Sequence, residues 1–286
     1  MNGKTKSRTK GCYVANQHCC NELTREHVIS KSILIELQPT TWTFGDLKVK
    51  IGINSAVLRY LCKHHNNALS DYDAEALKFV ASWNKIKSRL PDRSGFVKYD
   101  HFDTASMRDS GTPLKLEAIK IDTKKFELWM LKTFFNLIVF HARLDEQLKP
   151  FRRPDIITMS KYLFDNHPVE PPFGVYQIPI DKKLSKKFGW SFQPVFQDLF
   201  HQSNETGMIT HLITPTIMYM RFGVSELVGF FNLTGFSDKQ ALDGPLKHWK
   251  ETLTSIGKYR TDINIYGTKV REKGDSIDVL RGIKFV

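Results

Sequence analysis

Cysteine is absent from the sequence after residue 62, and the four cysteines before that point are Cys12, Cys19, Cys20 and Cys62. Also absent is any apolar run of the roughly 18 to 20 residues that a helix needs to span a bilayer. The basic start, MNGKTKSRTK, is not followed by the apolar segment of a secretory signal. We therefore expect a cytoplasmic protein without a membrane partner. Because disulfides are rare in that compartment, its clustered cysteines indicate metal ligands.

Internal repeats and low-complexity segments are absent as well, and acidic residues are in the minority. The net charge is +12, from 42 Lys and Arg against 30 Asp and Glu. Residues 1–110 carry 17 basic and 11 acidic residues, and the remaining chain carries 25 and 19. This even spread favours a polyanionic partner, and it suits a broad nucleic-acid-binding surface better than a basic tail. The 41% hydrophobic content excludes a wholly disordered chain.

The composition divides the 286 residues into four segments. Residues 1–10 form a basic arm that is predicted to be flexible. Residues 11–90 contain all the cysteines and form the predicted N-terminal module. Residues 91–113 are polar, carry glycine and proline, and form the predicted linker. Residues 114–286 form the predicted C-terminal domain.

Local patterns predict the elements of the N-terminal module. Glu26 and His27 open an apolar stretch that is predicted to form a strand or short turn and then a helix. Residues 46–61 alternate as a strand does and lead into Cys62. Residues 66–87 contain neither Gly nor Pro and predict a helix. Two short strands, a metal-binding knuckle and a helix therefore account for this module.

After the linker, the pattern changes to long helices and to strands rich in aromatic and β-branched residues. A strand is predicted at 114–121, and Asp122 or Thr123 is the predicted cap of a helix over 124–148. Further strands are predicted at 173–180, 190–197, 209–222, 226–233, 259–266 and 279–286, and a second helix, broken near Gly244 and Pro245, at 238–256. We expect an α+β fold in which helices back an antiparallel sheet, without a catalytic signature in this half.

Thiols and an imidazole occur at metal-ligand spacing. Cys62 and His65 form a C-x2-H pair, and Cys12 is followed after six intervening residues by Cys19 and then Cys20. One of these two adjacent cysteines is the expected ligand and the other a bystander, and the spacing leaves both choices open. Four such ligands predict one structural zinc ion per chain, which would stabilise a module with a small core.

Glu26 and His27 lie between the two ligand pairs and predict hydrolytic chemistry. Phosphodiester hydrolysis needs a base for the water and a cation for the developing charge. His27 is the candidate base, because imidazole titrates near neutral pH. Glu26 and Asn66 can offer oxygen ligands to a catalytic Mg²⁺ or Mn²⁺, and Asn54 is the candidate that orients the imidazole. Asn66 can equally cap the helix that follows it.

The segments ELTREHVISKSIL and LCKHHNNALSDYDAEA resemble the HNH nuclease family. The resemblance covers about residues 11–87 and implies a ββα-metal module with a zinc knuckle. It implies His27 as general base, Glu26 and Asn66 as metal ligands, and Asn54 as the central asparagine. This chain departs from the family pattern in having Glu before the histidine, Asn as the closing residue, a Cys/His knuckle and an unusual spacing of the first cysteine pair.

The sequence therefore predicts a metal-dependent endonuclease that hydrolyses DNA, with an N-terminal zinc-stabilised ββα-metal module and an α+β C-terminal domain. That second domain is expected to recognise the target, sense a signal or bind a protein partner. By analogy, a nuclease of this size fits restriction or anti-phage defence. Two alternatives stay open, namely a zinc-stabilised nucleic-acid-binding protein without cleavage activity and a toxin that cleaves RNA.

Overall fold

A computed structural model of the chain describes residues 12–14, 19–20, 22–37, 42–44, 47–49, 54, 56–89, 115–144, 156–179, 191–202, 209–222, 225–259, 263–272 and 275–285. The predicted arm at 1–10 and the predicted linker at 91–113 lie outside the described residues. Helices are combined with antiparallel sheets, so the predicted α+β class is confirmed. None of the helices in the described part of the chain is long and apolar enough to cross a membrane.

The N-terminal segment consists of short strands and helices, which are β1 Leu23–His27, α1 Lys31–Glu36, β2 Trp42–Phe44, β3 Leu47–Val49, β4 Val57–Cys62, α2 Lys63–Ala68 and α3 Ser70–Arg89. Strands β1 and β4 form an antiparallel pair, in which Leu23 lies opposite Cys62 and His27 opposite Val57. Strands β2 and β3 form a separate hairpin. The strand-like run predicted at 46–61 therefore corresponds to two strands, β3 and β4, that belong to different sheets.

The helix predicted at 66–87 is divided into two helices. Helix α2 begins directly after β4, because Cys62 is still extended (φ −74°, ψ 160°) and Lys63 is already helical. At Leu69 the helix tightens, since the Leu69 N–H donates to the carbonyl of Asn66 (3.2 Å), three residues earlier. Leu69 is fully buried. The break between the two helices therefore coincides with a buried apolar side chain. No Gly or Pro nearby marks this break in the sequence.

Helix α4 lies between the N-terminal segment and the C-terminal sheet. The elements here are β5 Lys115–Ile121, α4 Thr123–Leu144 and α5 Ile156–Phe164. Asp122 caps α4, because its Oδ1 accepts the backbone N–H of Lys125 (3.2 Å). The predicted strand, cap and long helix are thus confirmed, although residues 145–148 of the predicted helix lie outside the described residues. Helix α5 has no counterpart among the predicted elements.

The C-terminal part consists of β6 Gly174–Pro179, β7 Ser191–Gln202, β8 Ile209–Phe222, β9 Ser225–Phe230, α6 Asp238–Asp243, α7 Lys247–Ile256, β10 Lys258–Tyr259, β11 Ile263–Glu272 and β12 Asp275–Phe285. One antiparallel sheet has the order β10-β6-β9-β8-β7, and a second has the order β12-β11-β5. Helices α6 and α7 pack on the first sheet through their own apolar cluster. Each predicted strand overlaps an observed one, and the predicted break near Gly244 separates α6 from α7.

A single apolar core joins the N-terminal segment to α4. Tyr13 packs against Phe135 of α4 with ring centroids 5.0 Å apart. Trp129 of α4 is fully buried, and its ring centroid lies 6.1 Å from that of Phe192 in β7. The buried cluster contains residues of α1, β4, α3, α4 and β7. The first helix of the predicted C-terminal domain therefore completes the core of the N-terminal segment.

Candidate metal centre and histidine site

The predicted zinc ligands come together at the junction of β4 and α2. Cys62 is the last residue of β4, and His65 lies in α2. The chain at Cys12 is held beside β4, because the Tyr13 N–H donates to the Tyr60 carbonyl (2.9 Å). As a result, one ligand atom from each of four residues lies within 4.8 Å of the others, and these residues are Cys12, Cys19, Cys62 and His65.

The distances from His65 to the three thiols of this Cys/His cluster are close to those of a tetrahedral metal site. His65 Nδ1 lies 3.6 Å from Cys12 Sγ, 3.6 Å from Cys19 Sγ and 3.2 Å from Cys62 Sγ. A tetrahedral zinc ion with ligands at about 2.0 to 2.3 Å has ligand–ligand edges of about 3.3 to 3.8 Å. Three thiols and one imidazole are also a usual ligand set of structural zinc. The cluster can therefore hold a metal ion such as zinc.

The structure distinguishes between the two adjacent cysteines. Cys19 belongs to the four-ligand cluster. Cys20 lies beside it, where its Sγ accepts the backbone N–H of His64 (3.4 Å) and lies 3.7 Å from the carbonyl oxygen of Glu22. The geometry therefore favours Cys19 as the ligand and Cys20 as the bystander.

Burial favours the protonated form of two of the three thiols in the cluster, so a metal ion that binds them must displace their protons. Burial raises the pKa of Cys12, and burial together with the neighbouring thiols raises the pKa of Cys19 to about 12. Burial alone would raise the pKa of Cys62 too, but hydrogen bonds from the His65 backbone and from nearby thiols lower it overall. Crowded thiolates repel one another, and a dication offsets that repulsion while the thiols lose their protons.

Helix α5 closes one side of the cluster. The ring of His65, which is buried, lies against Phe164 with centroids 5.0 Å apart. Tyr72 of α3 donates through its hydroxyl to the carbonyl of Leu163 (3.1 Å), which ties α5 to the helix after the cluster. The unpredicted helix therefore helps to shield the metal ligands from water.

Glu26, a predicted catalytic metal ligand, is buried against a cation from α4. Lys132 Nζ lies 2.6 Å from Glu26 Oε1 and 2.8 Å from Asp73 Oδ2, and Lys132 is 2% exposed. Burial alone would lower the pKa of Lys132, but the Glu26 and Asp73 carboxylates raise it overall. The ammonium group therefore stays charged, and the two carboxylates compensate its buried charge.

Asn136, four residues after Lys132 on α4, binds the end of β1. Its Nδ2 donates to the backbone carbonyls of His27 and Val28, each at 3.3 Å. Its Oδ1 accepts a hydrogen bond from the Tyr60 hydroxyl of β4, and the residue is 1% exposed. We call Lys132, Asn136 and their partners Glu26, Asp73 and Tyr60 the α4 polar network.

His27, the predicted general base, ends β1 and is partly exposed. Its Nε2 is buried and has no hydrogen-bond partner within the described part of the chain. Burial lowers the pKa of His27 below its ordinary value, and the nearby charges of Lys31 and Arg25 lower it further. The imidazole is therefore neutral at neutral pH, in the form that can accept a proton.

The two asparagines predicted for the site lie on other parts of the fold. Asn54 is exposed, and its backbone carbonyl accepts a hydrogen bond from the Arg25 guanidinium (3.4 Å). Asn66 lies in α2 directly after His65, is partly exposed, and accepts the Leu69 N–H through its backbone carbonyl. The roles of their side chains, in orienting the imidazole and in binding a cation, stay predictions.

Lys132, Asn136 and Asp73 are parts of the site that the sequence patterns miss. A signal was available in the stretch FELWMLKTFFNLIVF, where a lysine and an asparagine four residues apart interrupt an otherwise largely apolar helix. A lysine on a buried helix face needs a carboxylate partner. Nothing in the spacing says that the partners are Glu26 and Asp73.

Comparison with known proteins adds no relative to this picture. No protein-family model, no curated protein and no solved structure matches the chain.

Proposed function

We propose that the chain is a metal-dependent endonuclease with an HNH-like module. The observation that supports this most strongly is the position of His27 at the end of β1, whose partner strand β4 leads directly into the Cys62–His65 pair. A partly exposed imidazole thus lies on a pair of antiparallel strands that is followed by a helix and joined to a Cys/His cluster. A strand pair followed by a helix is what the sequence resemblance implies, although α1 and the β2–β3 hairpin lie between the two paired strands here.

In this proposal His27 is the general base. Its imidazole takes a proton from a water molecule as the water oxygen attacks phosphorus, and the bond from phosphorus to the leaving oxygen breaks, with its electron pair passing to that oxygen. The lowered pKa of His27 keeps the imidazole ready to accept that proton. Zinc at the Cys/His cluster would stabilise the fold, because it would join the chain at Cys12 and Cys19 to the start of α2.

A catalytic Mg²⁺ or Mn²⁺ fits the residues only in part. Glu26 and Asn66 carry oxygen ligands of the kind that such ions prefer. Glu26 is buried, however, and its Oε1 is already bonded to Lys132. We therefore assign no step to this cation, and the dependence of cleavage on Mg²⁺ or Mn²⁺ is part of the test.

The same contact favours a second candidate, a zinc-stabilised nucleic-acid-binding protein without cleavage activity. A carboxylate buried against Lys132 contributes to the fold whether or not His27 acts as a base. The net charge of +12 supports a nucleic-acid partner for both candidates. Target recognition, signal sensing or partner binding by residues 114–286, and a place in anti-phage defence, are parts of the proposal that rest on analogy.

The deciding experiment incubates the purified full-length chain with plasmid DNA and with single-stranded RNA, with and without Mg²⁺ or Mn²⁺. His27→Ala, which leaves the Cys/His cluster intact, is the matched control. Cleavage of DNA by the parent but not by His27→Ala supports the endonuclease. Binding without cleavage supports the second candidate, and cleavage of RNA alone supports the toxin.

A further inference from the structure

Helix α4 carries buried polar side chains to two different parts of the molecule. Near its start, Glu127 Oε1 accepts the backbone N–H of Val175 in β6 (3.0 Å) and the hydroxyl of Tyr259 in β10 (3.3 Å). Further along, Lys132 and Asn136 contact β1, β4 and α3. One helix is thus hydrogen-bonded to the five-stranded sheet and to the strand that carries His27.

We propose that Lys132 and Asn136 are positioning residues for His27. The inference rests on the proposed endonuclease function. Neither residue has to touch the substrate, since both are almost fully buried. Asn136 acts through the backbone of His27. Lys132 acts through the side chain of Glu26, the residue before His27 in β1.

Asn136 fixes the backbone at the end of β1. Its amide group bonds two consecutive carbonyls, those of His27 and Val28. The backbone N–H of Val28 also donates to the Ala56 carbonyl (2.9 Å). Tyr60 holds the amide in one orientation by donating to its oxygen. Removing Asn136 would leave these buried carbonyls without the amide donor and free the strand end to shift.

Lys132 fixes which side of the strand each of the two predicted catalytic residues faces. Successive side chains of a strand point to opposite sides. Because the Glu26 carboxylate is held inward by the Lys132 ammonium, the next side chain, that of His27, must point the other way, where it is partly exposed. The ion pair therefore stabilises the exposure that a general base needs.

The first test compares two truncations on the same helix. Asn136→Ala removes the contact with β1, and Glu127→Ala removes the contact with β6. A displacement of about 1 Å in a reacting group can cost about 100-fold in rate. We expect Asn136→Ala to lower kcat for DNA cleavage about 10- to 100-fold, with KM changed less than about threefold and the zinc content retained. Glu127→Ala should lower Tm but leave kcat within about threefold.

A milder variant covers the case in which Asn136→Ala does not fold. Tyr60→Phe removes only the hydroxyl that orients the Asn136 amide. It should lower kcat in the same direction by a smaller factor, again without a change in KM. The inference is overturned if Asn136→Ala or Tyr60→Phe keeps the parent's kcat, or if Glu127→Ala loses as much kcat as Asn136→Ala does.

Hydrogen exchange gives a readout that does not depend on cleavage. In Asn136→Ala the Val28 amide should exchange at least about tenfold faster than in the parent, while the Val175 amide should not. In Glu127→Ala the pattern should be reversed. If the parent cleaves nothing, the endonuclease proposal fails and the positioning role fails with it. If the parent cleaves but Val28 exchange is unchanged in Asn136→Ala, only the present inference fails.

Discussion

The Cys/His cluster and the α4 polar network both hold the β1–β4 pair, but they are assembled in different ways. The cluster gathers three thiols and an imidazole, all from the N-terminal segment, around a position that suits a metal ion. The network contains its own cation, Lys132, which lies 59 positions after Asp73 and 106 positions (132 − 26) after Glu26 in the sequence. The Cys/His cluster can hold an ion from solution, whereas the α4 polar network already contains its cation within the chain. Chelators and point substitutions should therefore affect the two sites differently.

The largest effect is expected from loss of the metal ligands. Cys62→Ser should abolish zinc binding and cooperative folding of the N-terminal segment, because a closed four-ligand site contributes its binding free energy to folding. Elemental analysis should find about one zinc per chain in the parent and none in the variant. Thermal unfolding should show the loss of stability. A parent that is metal-free and folded would contradict this prediction.

The second-largest effect is expected on the rate of cleavage alone, with the Cys/His cluster and the α4 polar network unchanged. His27→Ala should reduce the rate of DNA cleavage by about 10² to 10⁴, since it removes the proton acceptor. Zinc content should stay at the parent's level, because His27 is not in the cluster. Rates measured at saturating DNA, alongside Tm, check the prediction. An unfolded His27→Ala variant would instead make the histidine part of the fold and favour the binding-protein alternative.

The α4 polar network should respond to the loss of its own cation. Lys132→Met should lower the free energy of unfolding by about 3 to 5 kcal/mol, because it leaves Glu26 buried without a partner. The double variant Lys132→Met with Glu26→Gln should recover part of that loss, since the buried Glu26 charge is gone and only the partly exposed Asp73 carboxylate has lost its cation. Chemical denaturation with urea measures both. Equal destabilisation of the single and double variants would show that the ion pair is not the cause.

The smallest effect is expected at the cysteine beside the cluster. Cys20→Ser should retain about one zinc and lose about 1 kcal/mol or less, since Cys20 lies outside the four-ligand cluster and a serine hydroxyl can still accept the His64 N–H. Cys19→Ser, at the adjacent position, should lose the metal. The two variants differ by one position and form a matched pair. Retention of zinc by Cys19→Ser together with its loss in Cys20→Ser would reverse the ligand assignment.

The difference between the two assemblies also explains what could be predicted from the sequence. Cys62 and His65 lie three positions apart, which is a common spacing of metal ligands, so the cluster is visible in the pattern. The choice of Cys19 over Cys20 depends on how the chain folds back beside β4. The contact of Lys132 with Glu26 depends on packing between segments that are far apart in sequence, and spacing carries no information about it.

The same reasoning applies to the elements of the fold. The strands of the C-terminal part were predictable because aromatic and β-branched runs end at Gly, Pro or Asp. The break at Leu69 was not, since it follows from burial of one side chain and not from a helix-breaking residue. Helix α5 is only nine residues long, which is too short for a periodic pattern to stand out.

The order of the chain gives α4 a consequence for protein synthesis. Every ligand of the Cys/His cluster precedes α4, so the ribosome releases all of them before it makes Lys132 and Asn136. N-terminal parts of a chain generally fold first during translation. Under the positioning proposal, a nascent chain could bind zinc early while the end of β1 still lacked its hydrogen bonds from α4. Cleavage activity would then begin only after the helix had emerged from the ribosome and docked.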